Sequence, residues 1–201
     1  MKIAFFIPSL RGGGSEKVFV LLANDFINRG IDVDMVLINK RGEYLDDLNQ
    51  RINVINLNCT KLWTSVRSFI NYLDVNSPSA VISSMPLANT IAVTSQHLSS
   101  FSGPVILTHH NSRDMLKGYV EKFSQKLFIP WVQLSYKFSD AIICVSKRVA
   151  ETVNKIVKDR DRLDVIYNPI EVDSIIEKAK APVDELDHSK TNIIAVGRLV
   201  D

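Results

Sequence analysis

Eight short apolar runs recur along this chain with amphipathic stretches between them. That alternation limits the fold more than any single motif does. The runs fall at 2–8, 33–39, 54–57, 80–83, 105–108, 141–145, 164–167 and 192–196. Most are apolar at consecutive positions, as in strands covered on both faces. Helical patterns lie near 16–29, 62–75, 88–98, 124–138, 147–157 and 171–179. Strands that alternate with helices predict an α/β fold, a doubly wound parallel sheet with helices on both faces.

Length and composition narrow the class further. The chain has 201 residues, room for one domain of about 150 residues and little else. Hydrophobic residues make up 46% and charged ones 23%, which excludes a disordered polyelectrolyte. A net charge of +2 is too small for a general nucleic-acid binder, so no such partner is expected. Cys59 and Cys144 are the only cysteines. A disulfide framework is thereby excluded, and both read as buried thiols in a reducing compartment. No apolar run approaches the roughly 20 residues that cross a bilayer. The opening MKIAFFIPSLRGGG is too short for a signal core, so it reads as the first strand of a cytoplasmic protein.

Local signals support the first helix. Ser15 is placed to cap it, Val18, Leu21, Leu22 and Phe26 share one face, and Gly30 stands where a left-handed C-terminal cap belongs. Residues 179–192 are polar and include Pro182, as in a linker. One more strand pattern follows at 192–196, then Gly197-Arg198-Leu199. The chain reads as 1–180, one domain, and 181–201, a linker with the first strand of a second.

Arg11-Gly12-Gly13-Gly14-Ser15-Glu16-Lys17 joins the first strand to the first helix. In a parallel sheet this turn lies at the carboxyl edge, where ligands bind. Glycines admit close approach, and a helix start offers free N–H groups to a phosphate. A dinucleotide fingerprint beginning at Gly12 would need glycine where Lys17 stands, and Walker spacing is absent. Phosphate cradle and plain flexible turn both remain open on the loop alone. Glu16 either complements the helix dipole or accepts hydrogen bonds from sugar hydroxyls.

Four segments in order resemble the N-terminal domain of glycosyltransferase family 4. They are IPSLRGGGSEKVFVLLANDFINRGIDVDMVLI, LTHHNSR, DAIICVSKRVAE, and VIYNPIEVD leading to IIAVGRLVD. The resemblance spans essentially the whole chain. It implies the N-terminal half of a GT-B fold, two Rossmann-like domains that transfer sugar from a nucleotide donor with retention. It places Gly13 and Gly14 at the donor diphosphate. His110 matches the family histidine at the donor sugar and is the catalytic candidate. Arg11, Ser15, Glu16, His109 and Asn111 become acceptor or sugar contacts. Ser146 matches a strand-ending serine, Asn168-Pro169 the turn before the interdomain linker, and Gly197-Arg198-Leu199 the opening of the second domain.

The resemblance also implies what these residues do not supply. The nucleotide pocket, a basic pair for the diphosphate and two glutamates seven residues apart belong to a second domain. The 201 residues are therefore expected to be catalytically incomplete. A family helix that crosses back onto the first domain is expected to leave an apolar patch bare, favouring self-association. The implied partners are a nucleotide-sugar donor and a glycan or lipid-linked glycan acceptor of surface polysaccharide synthesis. No cofactor and no metal are expected.

The remaining candidates are weaker. Asp32 and Asp34 read Asp-Val-Asp but open a strand at its amino edge, a structural position. His109 points the other way from His110 along extended backbone, which favours a structural role for its ring. His97 and His188 lack partners and read as surface residues, and no Cys/His spacing suggests zinc. Segment 113–148 holds seven basic and three acidic residues, a net +4, interleaved with Tyr119, Phe123, Phe128, Trp131 and Tyr136. An anionic membrane surface fits that mix, giving a peripheral protein at the inner face of the cytoplasmic membrane. Leu127, Trp131, Leu134 and Phe138 equally fit a core stripe, with Pro130 kinking or restarting the helix. Leu62, Trp63, Val66, Phe69, Ile70 and Leu73 read as core. Two other classes stay open: a non-catalytic glycan- or membrane-binding module, or one half of a split enzyme. A nicotinamide oxidoreductase shares the fold class but is disfavoured by Lys17.

Overall fold

The computed structural model describes residues 1–111, 125–159, 161–181, 191 and 193. Two compact units divide the chain, Met1–Asn168 and Pro169–Asp201. The first unit holds a seven-stranded sheet. Its strands are β1 (Lys2–Ile7), β2 (Asp32–Leu37), β3 (Asn53–Asn56), β4 (Ala80–Ser84), β5 (Val105–His109), β6 (Ala141–Cys144) and β7 (Leu163–Val165). The spatial order is β3-β2-β1-β4-β5-β6-β7. All neighbours run parallel, in registers such as Phe5 opposite Met35 and Ile82, and His109 opposite Cys144. The order reverses between β1 and β4, so the crevice at their carboxyl ends is the expected ligand position. The predicted strand pattern 192–196 and Gly197-Arg198-Leu199 fall outside the described residues, apart from Ile193, which lies outside regular structure.

Helix α1 (Gly14–Asn28) packs on one face of the sheet; α2 (Leu62–Asn76), α3 (Pro86–Leu98), α4 (Gln125–Phe138) and α5 (Lys147–Val157) cover the other. Strand side chains alternate between these layers. Phe5 meets Phe19 edge-on at 5.3 Å in the α1 layer, whereas Phe6 stacks on Phe69 at 3.9 Å in the other. Each buried ring removes enough apolar surface to contribute roughly 1.5–3 kcal/mol. The short α6 (Val172–Lys178) belongs to the second unit.

Gly30 holds φ +79° just past α1, as the sequence predicts. Ser15 does not cap that helix: Gly13 is the N-cap, and the Ser15 hydroxyl donates to the Glu16 carboxylate at 2.9 Å. The buried stripe of α1 is Glu16, Phe19, Val20, Ala23 and Ile27 together with Val18; Leu21, Leu22 and Phe26 are only half-buried. Residues 18–22 are all apolar, so several stripe phases are compatible with the sequence.

Helix α4 continues through Pro130 without restarting there, and it overturns the expected core stripe. Its inward residues are Val132, Ser135 and Tyr136, while Leu134 and Phe138 are more than half exposed. Nor is Trp63 core; it is 72% exposed and stacks on Trp131 at 5.6 Å. Val66, Phe69 and Leu73 are buried as expected. Both cysteines are free and buried, and burial pushes the Cys144 thiol up to about 11. No helix among the described residues is long and apolar enough to cross a membrane.

Candidate functional site

Three loops frame the carboxyl edge near the switch point. The first is the glycine turn after β1. Gly42 anchors it from the side, with φ +124° and its α-carbon against the Leu10 carbonyl, leaving no space for a side chain. Leu10 donates to the Arg41 carbonyl at 2.9 Å and Tyr44 to the Leu10 carbonyl at 3.2 Å. Side chains at Gly12 or Gly13 would meet the carboxylates of Glu43 and Glu16, while Gly14 faces open space. Glu16 is buried and lies in the first turn of α1, where its charge faces the helix N-terminus. Arg11 is exposed. Lys17 reaches Asp47 at 3.0 Å and lies over the Tyr44 ring. The Gly13 N–H donates to the Arg11 carbonyl within the turn, which leaves the first N–H groups of α1 beside two carboxylates, a surface suited to hydroxyls as much as to phosphate.

The second loop joins β4 to α3. Met85 takes φ +76°, a conformation rare for a residue with a side chain. Pro86 then opens α3, where its missing N–H costs nothing. Just before it lies Ser84, fully buried, whose hydroxyl has no hydrogen-bond partner among the described residues. Sequence pattern alone does not single out Ser84, because a serine ending a strand looks like ordinary loop entry. Its only signal is its place at the carboxyl end of a central strand.

The third holds the histidines that end β5. His109 is buried, and its Nδ1 lies 3.1 Å from the Tyr136 hydroxyl. Burial lowers its pKa to about 4, with the neighbouring His110 charge adding and the backbone of Asn111 partly offsetting. His110 is half-buried; burial lowers its pKa too, and its Nε2 sits 3.3 Å from the Thr108 hydroxyl. Both rings are therefore neutral at pH 7 and can donate without carrying charge. Asn111 is exposed. Among the described residues, five buried side-chain polar atoms lack a partner, and three of them are Ser84 Oγ, His109 Nε2 and His110 Nδ1. Buried polar groups are normally satisfied, so a cluster of exceptions marks a place where a ligand can complete the bonding.

The other candidates take structural positions. Asp34 is buried at the amino edge, bonded to Tyr72 at 2.8 Å and Asn53 at 2.9 Å, with Lys2 at 3.7 Å. His97 is exposed with Nδ1 at the Val93 carbonyl. Ser146 caps α5 by accepting from the Val149 N–H at 3.3 Å. No group of three or more metal-binding side chains occurs among the described residues. His188, and 112–124 of the basic segment with Arg113, Lys117, Tyr119, Lys122 and Phe123, lie outside the described residues.

No curated protein sequence matches this chain. Among solved structures it is similar to HepE from Anabaena, crystallised with UDP-glucose, at TM-score 0.67 and 19% identity, covering 90% of this chain and 49% of that one. It is similar to sucrose-phosphate synthase from Thermosynechococcus elongatus at TM-score 0.65 and 14% identity, covering 92% and 54%. The lipopolysaccharide outer core galactosyltransferase WaaB gives TM-score 0.62 and 16% identity, covering 85% and 46%. This chain thus spans about half the length of each. These likenesses show the fold: the Rossmann-like N-terminal half of a GT-B architecture. The family model described as Glycosyltransferase Family 4 matches residues 12–174. The chain belongs to that family.

Proposed function

We propose that this chain is the acceptor-side domain of a retaining glycosyltransferase that moves a sugar from a nucleotide donor to a glycan or lipid-linked glycan in surface polysaccharide synthesis. The observation that carries the reading is the cluster of unpartnered polar atoms at the ends of β4 and β5, within a family match that covers most of the chain. The UDP-glucose bound by the structurally similar HepE supports a nucleotide sugar as donor.

Transfer passes through an oxocarbenium-like centre while the diphosphate departs. The protein must orient the sugar, stabilise the leaving oxygens and exclude stray water. His110, with His109 behind it, contacts the donor sugar and its phosphate. Gly13 and Gly14 face the diphosphate, Gly14 through its backbone N–H, while the Gly13 N–H holds the turn by donating to the Arg11 carbonyl. Glu16, Arg11, Ser15 and Asn111 form the rim that receives sugar or acceptor hydroxyls. The reaction needs no metal in this reading, and a second domain supplies the nucleotide pocket.

Transfer of labelled sugar from UDP-glucose and related donors tests this. The 201 residues alone should give none, and adding a nucleotide-binding second domain should restore it. Transfer by the 201 residues alone would overturn the division of labour. No transfer with any nucleotide sugar, once both domains are present, would overturn the activity.

A second observation bears on location. Trp63, Leu134 and Phe138 are exposed apolar side chains on α2 and α4, with the half-buried Trp131 stacked under Trp63, and Lys61, Arg67 and Lys137 are exposed beside them in sequence. Aromatic rings flanked by basic residues suit an anionic membrane surface. The reading is a cytoplasmic domain resting on the inner face of the membrane, near a lipid-linked acceptor.

A further inference from the structure

The connections that leave the carboxyl ends of β1, β2 and β3 carry an unbalanced charge. Residues 8–13, 38–42 and 57–61 hold four basic side chains, Arg11, Lys40, Arg41 and Lys61, and no acidic one. That is +4 on three short loops, against +2 for the whole chain. All four are exposed, and none enters an ion pair among the described residues. Lys17, Arg29 and Arg162, by contrast, each reach a carboxylate at 3.0 Å or less. Glu16 and Glu43 lie against the glycine turn and pair with none of the four. Hydrogen bonds tie the three loops together. Leu10 donates to the Arg41 carbonyl at 2.9 Å, Asn39 to the Pro8 carbonyl at 3.0 Å and Cys59 to the Ile38 carbonyl at 3.1 Å. The Asn39 side chain also donates to the Cys59 carbonyl at 2.9 Å. Like charges on fixed, neighbouring backbones repel one another. An arriving anion relieves that repulsion, and loops already held in place lose little freedom on binding it.

We propose that Arg11, Lys40 and Arg41 bind a phosphoryl group of the acceptor, with Lys61 extending the site towards Trp63. The acceptor class is then a glycan joined to its lipid through phosphate. This rests on the glycosyltransferase reading above and narrows its acceptor. Position separates this anion from the donor's. The donor phosphate is bonded to the reacting carbon, so it stays with the sugar at the end of β5. β2 stands three strand spacings from β5 in the sheet, about 14 Å. Chemistry agrees with the assignment. A guanidinium only donates, in pairs that match phosphoryl oxygens, so Arg11 takes the phosphate while Glu16 receives sugar hydroxyls. Lys61 stands two residues before the exposed Trp63, so the basic loops run into the apolar surface of α2, where a lipid would lie.

The site is testable in the 201-residue chain with inorganic pyrophosphate, followed by backbone amide shifts. Saturable shifts are expected in 38–42 and 57–61, and the Arg11→Ala/Arg41→Ala double variant should bind about tenfold more weakly. Lys155→Ala removes an exposed charge from α5 and should bind as the unsubstituted chain does. Shifts confined to the glycine turn and the histidines, or equal weakening in Lys155→Ala, would overturn the proposal. A phospholipid headgroup offers the same chemistry, so flotation with phosphatidylglycerol-containing vesicles separates the two sources. The double variant should float as before; loss of flotation with unchanged pyrophosphate binding would assign these cations to headgroups and overturn the proposal. In the protein joined to its nucleotide-binding domain, farnesyl-diphosphate-linked N-acetylglucosamine is compared with the octyl glycoside of the same sugar. The double variant should raise KM about tenfold for the first and leave the second and the nucleotide sugar unchanged. A rise for the nucleotide sugar instead would give these cations to the donor and overturn the proposal. Pyrophosphate binding at these loops without transfer from any nucleotide sugar would support the anion site and count against the activity.

Discussion

The two ends of this sheet treat buried polar groups in opposite ways. At the amino end Asp34 is enclosed by Tyr72, Asn53 and Lys2, and its carboxylate is well supplied with donors. Burial, then the bond to Asp34, pushes the Tyr72 hydroxyl pKa above its ordinary range, so it stays a donor. At the carboxyl end Ser84, His109 and His110 each keep a polar atom that nothing satisfies among the described residues. The first arrangement holds strands together. The second leaves bonding capacity for something that arrives, and it stands where a parallel sheet places its ligands. Folding energy is spent at one edge and withheld at the other.

Acid should expose the difference most strongly. A folded His109 resists protonation down to about 4, whereas the unfolded ring charges below about 6.5. Between those values the unfolded state binds more protons, so stability is complete above pH 6.5 and falls as the pH drops towards 4. The loss from this ring is about 3 kcal/mol, with His110 shifted in the same direction. Urea midpoints at pH 7 and pH 4 should therefore differ less in His109→Gln than in the unsubstituted chain. An identical acid loss in both would remove His109 as its source.

Matched deletions at the two edges should move stability in opposite directions. Tyr72→Phe takes a hydrogen bond from a buried carboxylate and should destabilise by about 1.5–3 kcal/mol. Ser84→Ala removes a hydroxyl that has no partner and should be neutral or stabilise by up to about 1 kcal/mol. Thermal unfolding of both variants checks the contrast. A destabilised Ser84→Ala would show that its hydroxyl is already satisfied. The smallest effect belongs to neither edge. Trp63→Ser should weaken binding to phosphatidylglycerol-containing vesicles about fivefold, just under 1 kcal/mol. Unchanged flotation would discard the membrane reading of that surface.

Much of the scaffold is readable because a central parallel strand must be apolar on both faces. The runs at 2–8, 33–39 and 105–108 stand within two residues of β1, β2 and β5. The phase of the helices is less readable. In α4 the stripe 127-131-134-138 has helical spacing, yet the inward turn uses Ser135 and Tyr136. Ser135 is held by the Val132 carbonyl at 2.8 Å and by Thr90 at 3.3 Å, and Tyr136 by Asn89 and His109. Hydropathy periodicity cannot count such bonds, because their partners lie on other elements. The same limit hides Ser84 and the hydrogen bonds from Ser83 to Asn89 and from Asn89 to Tyr136, which span β4, α3 and α4. His109 and His110 are visible as a pair after a strand. What their rings touch depends on the fold.

The most direct test of the sugar-facing edge is the turnover of His110→Ala in the protein that carries both this domain and its nucleotide-binding partner. Removing a donor at the reacting sugar or its phosphate should lower kcat by about 10²-fold or more. Stability should change little, since among the described residues the half-buried ring has one long hydrogen-bond contact, to Thr108. Turnover equal to that of the unsubstituted protein would contradict the account and place the sugar away from the end of β5.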